Sequence, residues 1–479
     1  MRPTACRAPS MNLYFFANGD VGACCRNRSY GNIATSRLAD IWAGARRRDL
    51  GDRLARDDYS MGCDLCAVEH RIEGRAASFT AQFDHWADVF AVPDDPPWPV
   101  RMEFELANTC NPQCVQCSGD LSSTIRSRRE HREPMPHRYG DEFVDDLRPF
   151  LPHLELASFV GGEPFLIPEY YRIWDLIAEV APDLPCVVVT NGTQWNDRVE
   201  QVLERVNVQP YVSIDGATAP TYESIRVGAD FDVVMQHLDR FHAHARRRGH
   251  RASIVFCVMP SNVGELPDLL LYAEERGILL TTSIVREPAE HSLAHLDATA
   301  LADACRRLER RDAEMTLRLE LNAAVWRTEL ERVRALAAAA ETPVRGSWMA
   351  ESPRIMMFLR QGDGPTDESR ELDLLATGGA SSDIHRFRVG ADDLASGVTP
   401  ELAALLGLDV DELDGRPIAA IQKAFRRRAV VEQSPDRYEL AVQLDAGPAR
   451  LVMVPRRDDR GWADDVAVFV ALAAPAVAP

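Results

Sequence analysis

Three cysteines within eight residues, Cys110-Asn-Pro-Gln-Cys114-Val-Gln-Cys117, put three thiolates on one short loop. Thiolates grouped in this way are ligands for a soft metal centre, and a four-iron cluster takes four ligands, usually cysteine. A loop that supplies three leaves one iron open to bind something from outside the protein. The alternative is a zinc knuckle, for which His131 and His137 are the nearest fourth ligands and neither stands at a usual interval. Met102-Glu-Phe-Glu-Leu106 alternates as a strand just before the run, so the cysteines are expected past a strand's C-terminal end.

A second set lies nearer the N-terminus: Cys6, Cys24, Cys25, Cys63 and Cys66. Asn18-Gly-Asp20 reads as a hairpin turn between strands at 13–17 and 21–25, and the pleat sends Cys24 and Cys25 to opposite faces. One of those two can join Cys6 and the chelating pair Cys63-Asp-Leu-Cys66 in a four-cysteine site. Four thiolates suit an iron–sulfur cluster or a tetrahedral zinc equally. Residues 1–75 hold too little apolar sequence for a core of their own, so a metal is expected to supply stability. Cys186, Cys257 and Cys305 stand alone and read as core packing.

Both sets need a scaffold. Beyond a Pro- and Asp-rich linker at 92–99, short apolar runs alternate with amphipathic ones. Strands are expected at 100–106, 154–160, 186–190, 210–214, 253–259 and 279–285, with helices at 141–150, 168–180, 197–206, 231–248 and 263–276. Such alternation predicts an α/β fold with a parallel sheet covered by helices. Six β/α units in about 190 residues suit an open, partial (β/α)6 barrel, whose functional groups gather at the strands' C-terminal ends. The expected division is 1–75 for the cysteine module, 96–290 for the barrel, 291–345 for a helical extension and 350–479 for a separate α+β unit.

With these elements in place, residues 100–290 resemble the radical S-adenosylmethionine (SAM) superfamily. Gly161-Gly162-Glu163-Pro164 follows the second strand and is similar to the motif with which that family holds the amino group of SAM. Thr190-Asn191-Gly192 follows the third strand, and Ser213-Ile-Asp215-Gly216 closes the fourth, where the family places ribose contacts. The resemblance implies a [4Fe–4S] cluster on Cys110, Cys114 and Cys117 whose open iron binds SAM. It also implies a SAM site formed by Gly161, Gly162, Glu163, Pro164, Asn191, Ser213 and Asp215, with Glu163 offering its carboxylate to the SAM ammonium and Ser213 and Asp215 binding hydroxyls. One electron would then cleave SAM to a 5′-deoxyadenosyl radical that takes a hydrogen atom from the substrate. Arg226 lies where relatives place an arginine near SAM, a surface ion pair being the alternative. No residue stands out as the group that quenches the product radical.

The N-terminal set resembles the SPASM and twitch auxiliary-cluster modules through Cys6-Arg-Ala-Pro9, Gly19-x4-Cys24-Cys25, Gly31-Asn32-Ile33, Asp40-Ile41-Trp42 and Gly62-Cys63-x2-Cys66. Five cysteines are fewer than two-cluster modules carry, so the resemblance implies one auxiliary [4Fe–4S] cluster on Cys6, Cys24, Cys63 and Cys66. Cys24 is preferred to Cys25 from the Gly-x4-Cys spacing. Farther on, Val398-Thr-Pro-Glu-Leu and Asp414-Gly415-Arg-Pro417 resemble a PAS domain, with strands expected at 438–444, 450–454 and 465–472 and a hairpin turn at 458–461. That resemblance implies a sensing, docking or dimerising role.

Composition sets outer bounds. The formal charge of −19 disfavours a nonspecific nucleic-acid surface. No apolar run approaches the ~20 residues of a membrane span, and the N-terminus lacks a signal-peptide pattern, so a cytoplasmic protein without a membrane partner is expected. Three functions follow from the resemblances. The first is modification of a ribosomally made peptide. The second is oxidation of a small sugar or aminocyclitol. The third is a PAS-coupled redox sensor that catalyses nothing. Either enzyme would draw on an electron donor such as a flavodoxin or ferredoxin.

Overall fold

The computed structural model describes residues 5–341 apart from 73, 74, 76, 77 and 287, together with six strands between 380 and 473. The chain divides into two units, the first running to Glu341 except for residues 64–68. The first unit begins with strands β1 (Asn12–Phe15), β2 (Asp20–Gly22) and β3 (Gly31–Asn32), followed by helices α1 (Leu38–Trp42), α2 (Ala45–Leu54), α3 (Asp64–Ile72) and α4 (Ala81–Val89). Then come β4 (Arg101–Phe104), β5 (Gln113–Cys114), α5 (Ser123–Arg128), α6 (Asp141–Leu147), β6 (Leu156–Phe159), α7 (Pro168–Val180), β7 (Pro185–Thr190), α8 (Asp197–Arg205) and β8 (Asn207–Ser213). The unit closes with α9 (Ala219–Ile225), β9 (Arg226–Val227), α10 (Phe231–Arg247), β10 (Ser253–Val258), α11 (Leu266–Arg276), β11 (Leu279–Ile284), α12 (Ala298–Glu309), α13 (Asp312–Arg318) and α14 (Ala323–Glu341).

The expected α/β sheet is present, and it is larger than the sequence suggested. Its order is β11-β10-β8-β7-β6-β4-β1-β2-β3. Every pairing from β11 to β1 is parallel, and β2 and β3 complete it antiparallel. The N-terminal hairpin is therefore an extension of the barrel sheet. This resolves its shortage of apolar sequence, because it shares a core instead of building one. Phe15 on β1 stacks on Phe104 of β4 at 5.2 Å, and Phe104 stacks on Phe159 of β6 at 5.1 Å. Phe143 of α6 and Trp174 of α7 close over this row.

The opposite face of the same strands is polar. Tyr14 Oη donates to Glu105 at 2.6 Å, Asn12 Nδ2 to Glu103 at 2.8 Å, and Arg101 to Glu103 at 2.8 Å. A strand inside a parallel sheet is usually apolar on both faces; alternation in β4 marks a face that apolar packing leaves uncovered. The sheet is also curled. β2 and β11 are far apart in its order, yet Glu69 pairs with Arg26 just past β2 at 2.8 Å and with Arg286 just past β11 at 3.5 Å.

The amphipathic run near residues 38–54 is two helices, because Gly44 takes an extended conformation between them. The linker at 92–99 is anchored: Arg7 donates to the Val92 carbonyl at 2.6 Å and Trp42 Nε1 to the Pro97 carbonyl at 3.1 Å. Cys186 and Cys305 are buried as expected, whereas Cys257 is only half-buried. Among the described residues no helix is long and apolar enough to cross a membrane.

The second unit holds β12 (Ala380–Gly390), β13 (Ala395–Ser396), β14 (Arg428–Ser434), β15 (Arg437–Leu444), β16 (Gly447–Arg457) and β17 (Ala463–Ala473). They form one antiparallel sheet in the order β13-β12-β17-β16-β15-β14. The run at 398–417 and the turn at 458–461 lie outside the described residues. If β1 and β4 share one core, Phe104→Ala should cost about 3–5 kcal/mol. Urea unfolding should then show the hairpin and the barrel lost in one earlier transition, not the barrel alone.

Candidate metal centre

The run from Cys110 to Cys117 leaves β4 and returns to α5, and both its ends and its middle are tied down. At its start, Cys110 N–H donates to Ser123 Oγ at 3.2 Å, and Thr124 Oγ1 donates to the Cys110 carbonyl at 2.6 Å. Ser122 caps α5 and donates to the Pro112 carbonyl at 3.2 Å. In the middle, β5 pairs antiparallel with β9, setting Cys114 opposite Arg226. Ser, Thr and Asn favour such side-chain to backbone bonds, which is why a segment with so little regular structure holds its shape.

Burial and the nearby Cys114 thiol push Cys117 up to about 11, and burial, the Glu163 carboxyl and the other two thiols push Cys110 up to about 12. Burial also raises Cys114, against the pull of Arg226. Three thiolates in such a place need a positive centre to neutralise them, and metal binding releases their protons. Among the described residues no three His, Cys, Asp or Glu side chains converge on a single ion. A four-iron cluster places each ligand on a different iron, so its cysteines stand farther apart than those around one ion. Orphaned polar atoms also surround Cys114: Gln116 Oε1, Tyr222 Oη and Arg226 Nε are buried without partners. Buried groups of this kind call for a missing ion, water or ligand. The loop therefore fits a cluster with a further ligand beside it.

Gly161 and Gly162 meet the loop from β6. Their φ values are +77° and +51°, a region open to glycine. A Cβ on Gly161 would come within 2.6 Å of Glu105 Cγ, and one on Gly162 within 2.3 Å of the Thr109 carbonyl oxygen. Glu163 N–H donates to the same Thr109 oxygen at 2.7 Å, so the motif is pressed against the lead-in to Cys110.

The two carboxylates expected to face a ligand are both buried and both accept hydrogen bonds from the protein. Glu163 is fully buried. It accepts from Thr190 Oγ1 at 2.7 Å, Asn191 N–H at 2.6 Å and Phe165 N–H at 3.2 Å. A buried carboxylate must have donors, and these are the turn after β7 and the motif's own backbone. Asp215 is also fully buried. It accepts from Gln116 Nε2 at 2.8 Å and Cys257 N–H at 2.6 Å, and it pairs with Arg226 at 2.7 Å. Ser213 is buried beside it. The backbone of Gly161 and Gly162 is part-exposed. Pro164 turns the chain into a short 3-10 helix. Asn191, buried past β7, donates to Asn111 at 3.0 Å and points the same amide at Cys110 Sγ, 3.7 Å away.

Arg226 is buried, so the surface ion pair is excluded. Sequence reasoning also passed over Gln116, whose only signal was a polar residue inside a Cys-x2-Cys step, and the Tyr14–Glu105 pair, legible once β1 is known to adjoin β4.

In the N-terminal set, Cys24 is buried and Cys25 exposed. Burial, with Cys25, Cys6 and Cys63 nearby, pushes the Cys24 thiol well above its usual range, so these three cysteines all lie close enough for their charge to act on Cys24. Asn27 staples this group, donating to the Met61 carbonyl at 2.6 Å with Cys63 Sγ at 3.6 Å. Cys63 precedes α3, and Cys66 is buried in that helix's first turn.

Two family models match stretches of the chain that contain these cysteines. Residues 104–273 match the model of the Radical SAM superfamily, and residues 6–67 match that of the SPASM iron–sulfur cluster-binding domain. The chain is 28% identical over 208 residues to the mycofactocin maturase MftC of Mycobacterium ulcerans (strain Agy99), covering 43% of this chain and 50% of that protein. It is 30% identical over 131 residues to the AdoMet-dependent heme synthase of Methanosarcina barkeri (strain Fusaro / DSM 804), covering 27% of this chain and 34% of that one. Streptococcus suis SuiB bound to precursor peptide SuiA aligns with a TM-score of 0.36 at 13% identity, over 55% of this chain and 64% of that one. The chain spans about half the length of the maturases it matches.

Two predictions follow from the geometry. Cys24→Ser should lower the iron held after anaerobic reconstitution by about half, one cluster of two, whereas Cys25→Ser should leave it unchanged. Burial pushes Glu163 up to about 7 from 4.5. The folded chain then holds a proton that the unfolded chain releases between those values, so stability falls as pH rises from 4.5 to 7 and levels off above. Relative to Glu163→Gln, the wild type should lose about 3 kcal/mol across that window, read from paired urea unfolding curves near pH 5 and pH 8.

Proposed function

We propose that this chain, which carries a radical SAM domain over residues 104–273 behind an iron–sulfur cluster-binding domain over residues 6–67, is an enzyme that modifies a ribosomally made peptide. The carrying observation is the seating of the three-cysteine loop. It lies at the C-terminal ends of the parallel strands, flanked by Asn191 on one side and by the Arg226–Asp215 pair on the other. Cys110, Cys114 and Cys117 would hold the [4Fe–4S] cluster. When bound, the cluster and SAM supply a 5′-deoxyadenosyl radical that takes a hydrogen atom from the substrate.

The residues of the chain do the rest. Gly161 and Gly162, which have no Cβ to strike Glu105 and Thr109, bring part-exposed backbone up to the cysteine loop, where it would meet the amino acid end of SAM. Glu163 is a positioning residue: it fixes the turn at Thr190 and Asn191, and Asn191 in turn faces Cys110. Asp215 orients Arg226 and Gln116 from beneath.

A peptide substrate is favoured by the pairing of the two domains and by similarity to proteins named as maturases. Cys6, Cys24, Cys63 and Cys66 would hold one auxiliary [4Fe–4S] cluster. Electrons would come from a flavodoxin or ferredoxin in the cytoplasm. The antiparallel sheet β12–β17 supports the PAS-like assignment of the C-terminal unit, with a dimerising role.

The test is anaerobic reconstitution with iron and sulfide, then dithionite and SAM. About eight irons per chain, from two four-iron clusters, and formation of 5′-deoxyadenosine are expected, with cleavage abolished in Cys110→Ala. Full iron content without SAM cleavage would overturn the enzymatic assignment.

A further inference from the structure

The Arg226–Asp215 pair stands against the cluster loop without holding the loop's backbone, which the β5–β9 pairing already does. Arg226 Nη2 lies 2.7 Å from Asp215 Oδ2, while Nη1 points at Cys114 Sγ from 4.0 Å. Arg226 is 6% exposed and Asp215 is 0% exposed. A buried arginine–carboxylate pair is poor value as stabilisation, because desolvating both ions offsets most of their attraction. Its location calls for another account, and the loop supplies one.

One-electron reduction adds a negative charge to a cluster and its sulfurs. A fixed positive charge close by favours the reduced form, and in a buried setting its field is only weakly screened. Charge and hydrogen bonds around the cysteine sulfurs are what a protein uses to set such a potential. Here the guanidinium is turned with one amino group toward the sulfur and the other toward Asp215. Asp215 cannot swing away, since Gln116 and the Cys257 N–H hold it as well. The pair is thus a fixed dipole with its positive end on Cys114.

We propose that Arg226, oriented by Asp215, is a positioning residue that raises the reduction potential of the cluster carried by Cys114. This rests on the assignment of a [4Fe–4S] cluster to Cys110, Cys114 and Cys117. An electron added to the cluster is balanced in charge by the guanidinium beside it, with no proton taken up by Arg226.

The test is an EPR-monitored redox titration of the reconstituted full-length protein, following the signal that responds to SAM. In Arg226→Gln the equilibrium constant for reduction should fall at least tenfold, a shift of about 59 mV to more negative potential for one electron. Arg226→Lys keeps the charge and should recover more than half of that shift. Asp215→Asn removes the opposing charge and should move the midpoint the other way. A wild-type midpoint in an Arg226→Gln protein with full iron would overturn the proposal. Should Arg226→Gln fail to assemble its cluster, an unchanged midpoint in Asp215→Asn would overturn it equally. A wild-type protein without a SAM-responsive signal would overturn the cluster assignment itself, a separate and recognisable failure.

Discussion

Three thiolates confined to one short loop repel one another, and burial raises the cost of ionising each of them. The structure around Cys110, Cys114 and Cys117 is organised by that constraint. Ser122, Ser123 and Thr124 grip the loop's backbone, β9 clamps its centre, and Asn191 and Arg226 present donors to two of the three sulfurs. The one guanidinium among these contacts is already paired with Asp215 and does not balance three thiolates. A cluster does, and the unpartnered buried atoms of Gln116, Tyr222 and Arg226 are polar groups left for a ligand to satisfy.

The position of the loop depends in turn on the sheet. Parallel strands bring the ends of β4, β6, β7, β8 and β10 to one rim, so residues far apart in sequence meet there. Continuity of the sheet into β1, β2 and β3 matters as much. It fixes the N-terminal cysteines by the same core that fixes β4, through the row Phe15, Phe104 and Phe159. Glu69 then ties that module to Arg286 beyond the far strand.

The parts of this arrangement that were legible in sequence are those set by local periodicity. The six barrel strands and their helices were readable because apolar runs and amphipathic stretches alternate, and the helix at Pro168–Val180 carries its own start signal in Pro168. The Cys-x3-Cys-x2-Cys loop and the paired glycines were readable because their chemistry is local. The roles of Glu163 and Asp215 were not. A carboxylate in a motif reads as a ligand-binding group until its burial is known, and burial depends on β7 and β10, contributed from far along the chain. Arg226 was ambiguous for the same reason. β5 and β9, each two residues long, have no periodicity to detect, and the pairing of β1 with β4 is a nonlocal choice that no window of sequence contains.

The account stands on one open iron at the rim of the sheet. The most direct test is EPR of the dithionite-reduced protein before and after addition of SAM labelled with 15N at its amino group. A change in the spectrum with hyperfine coupling to the label, lost in Cys114→Ala, is the result predicted here. An unaltered spectrum with no coupling, in a protein that holds its full iron, would show the cluster closed and contradict the account.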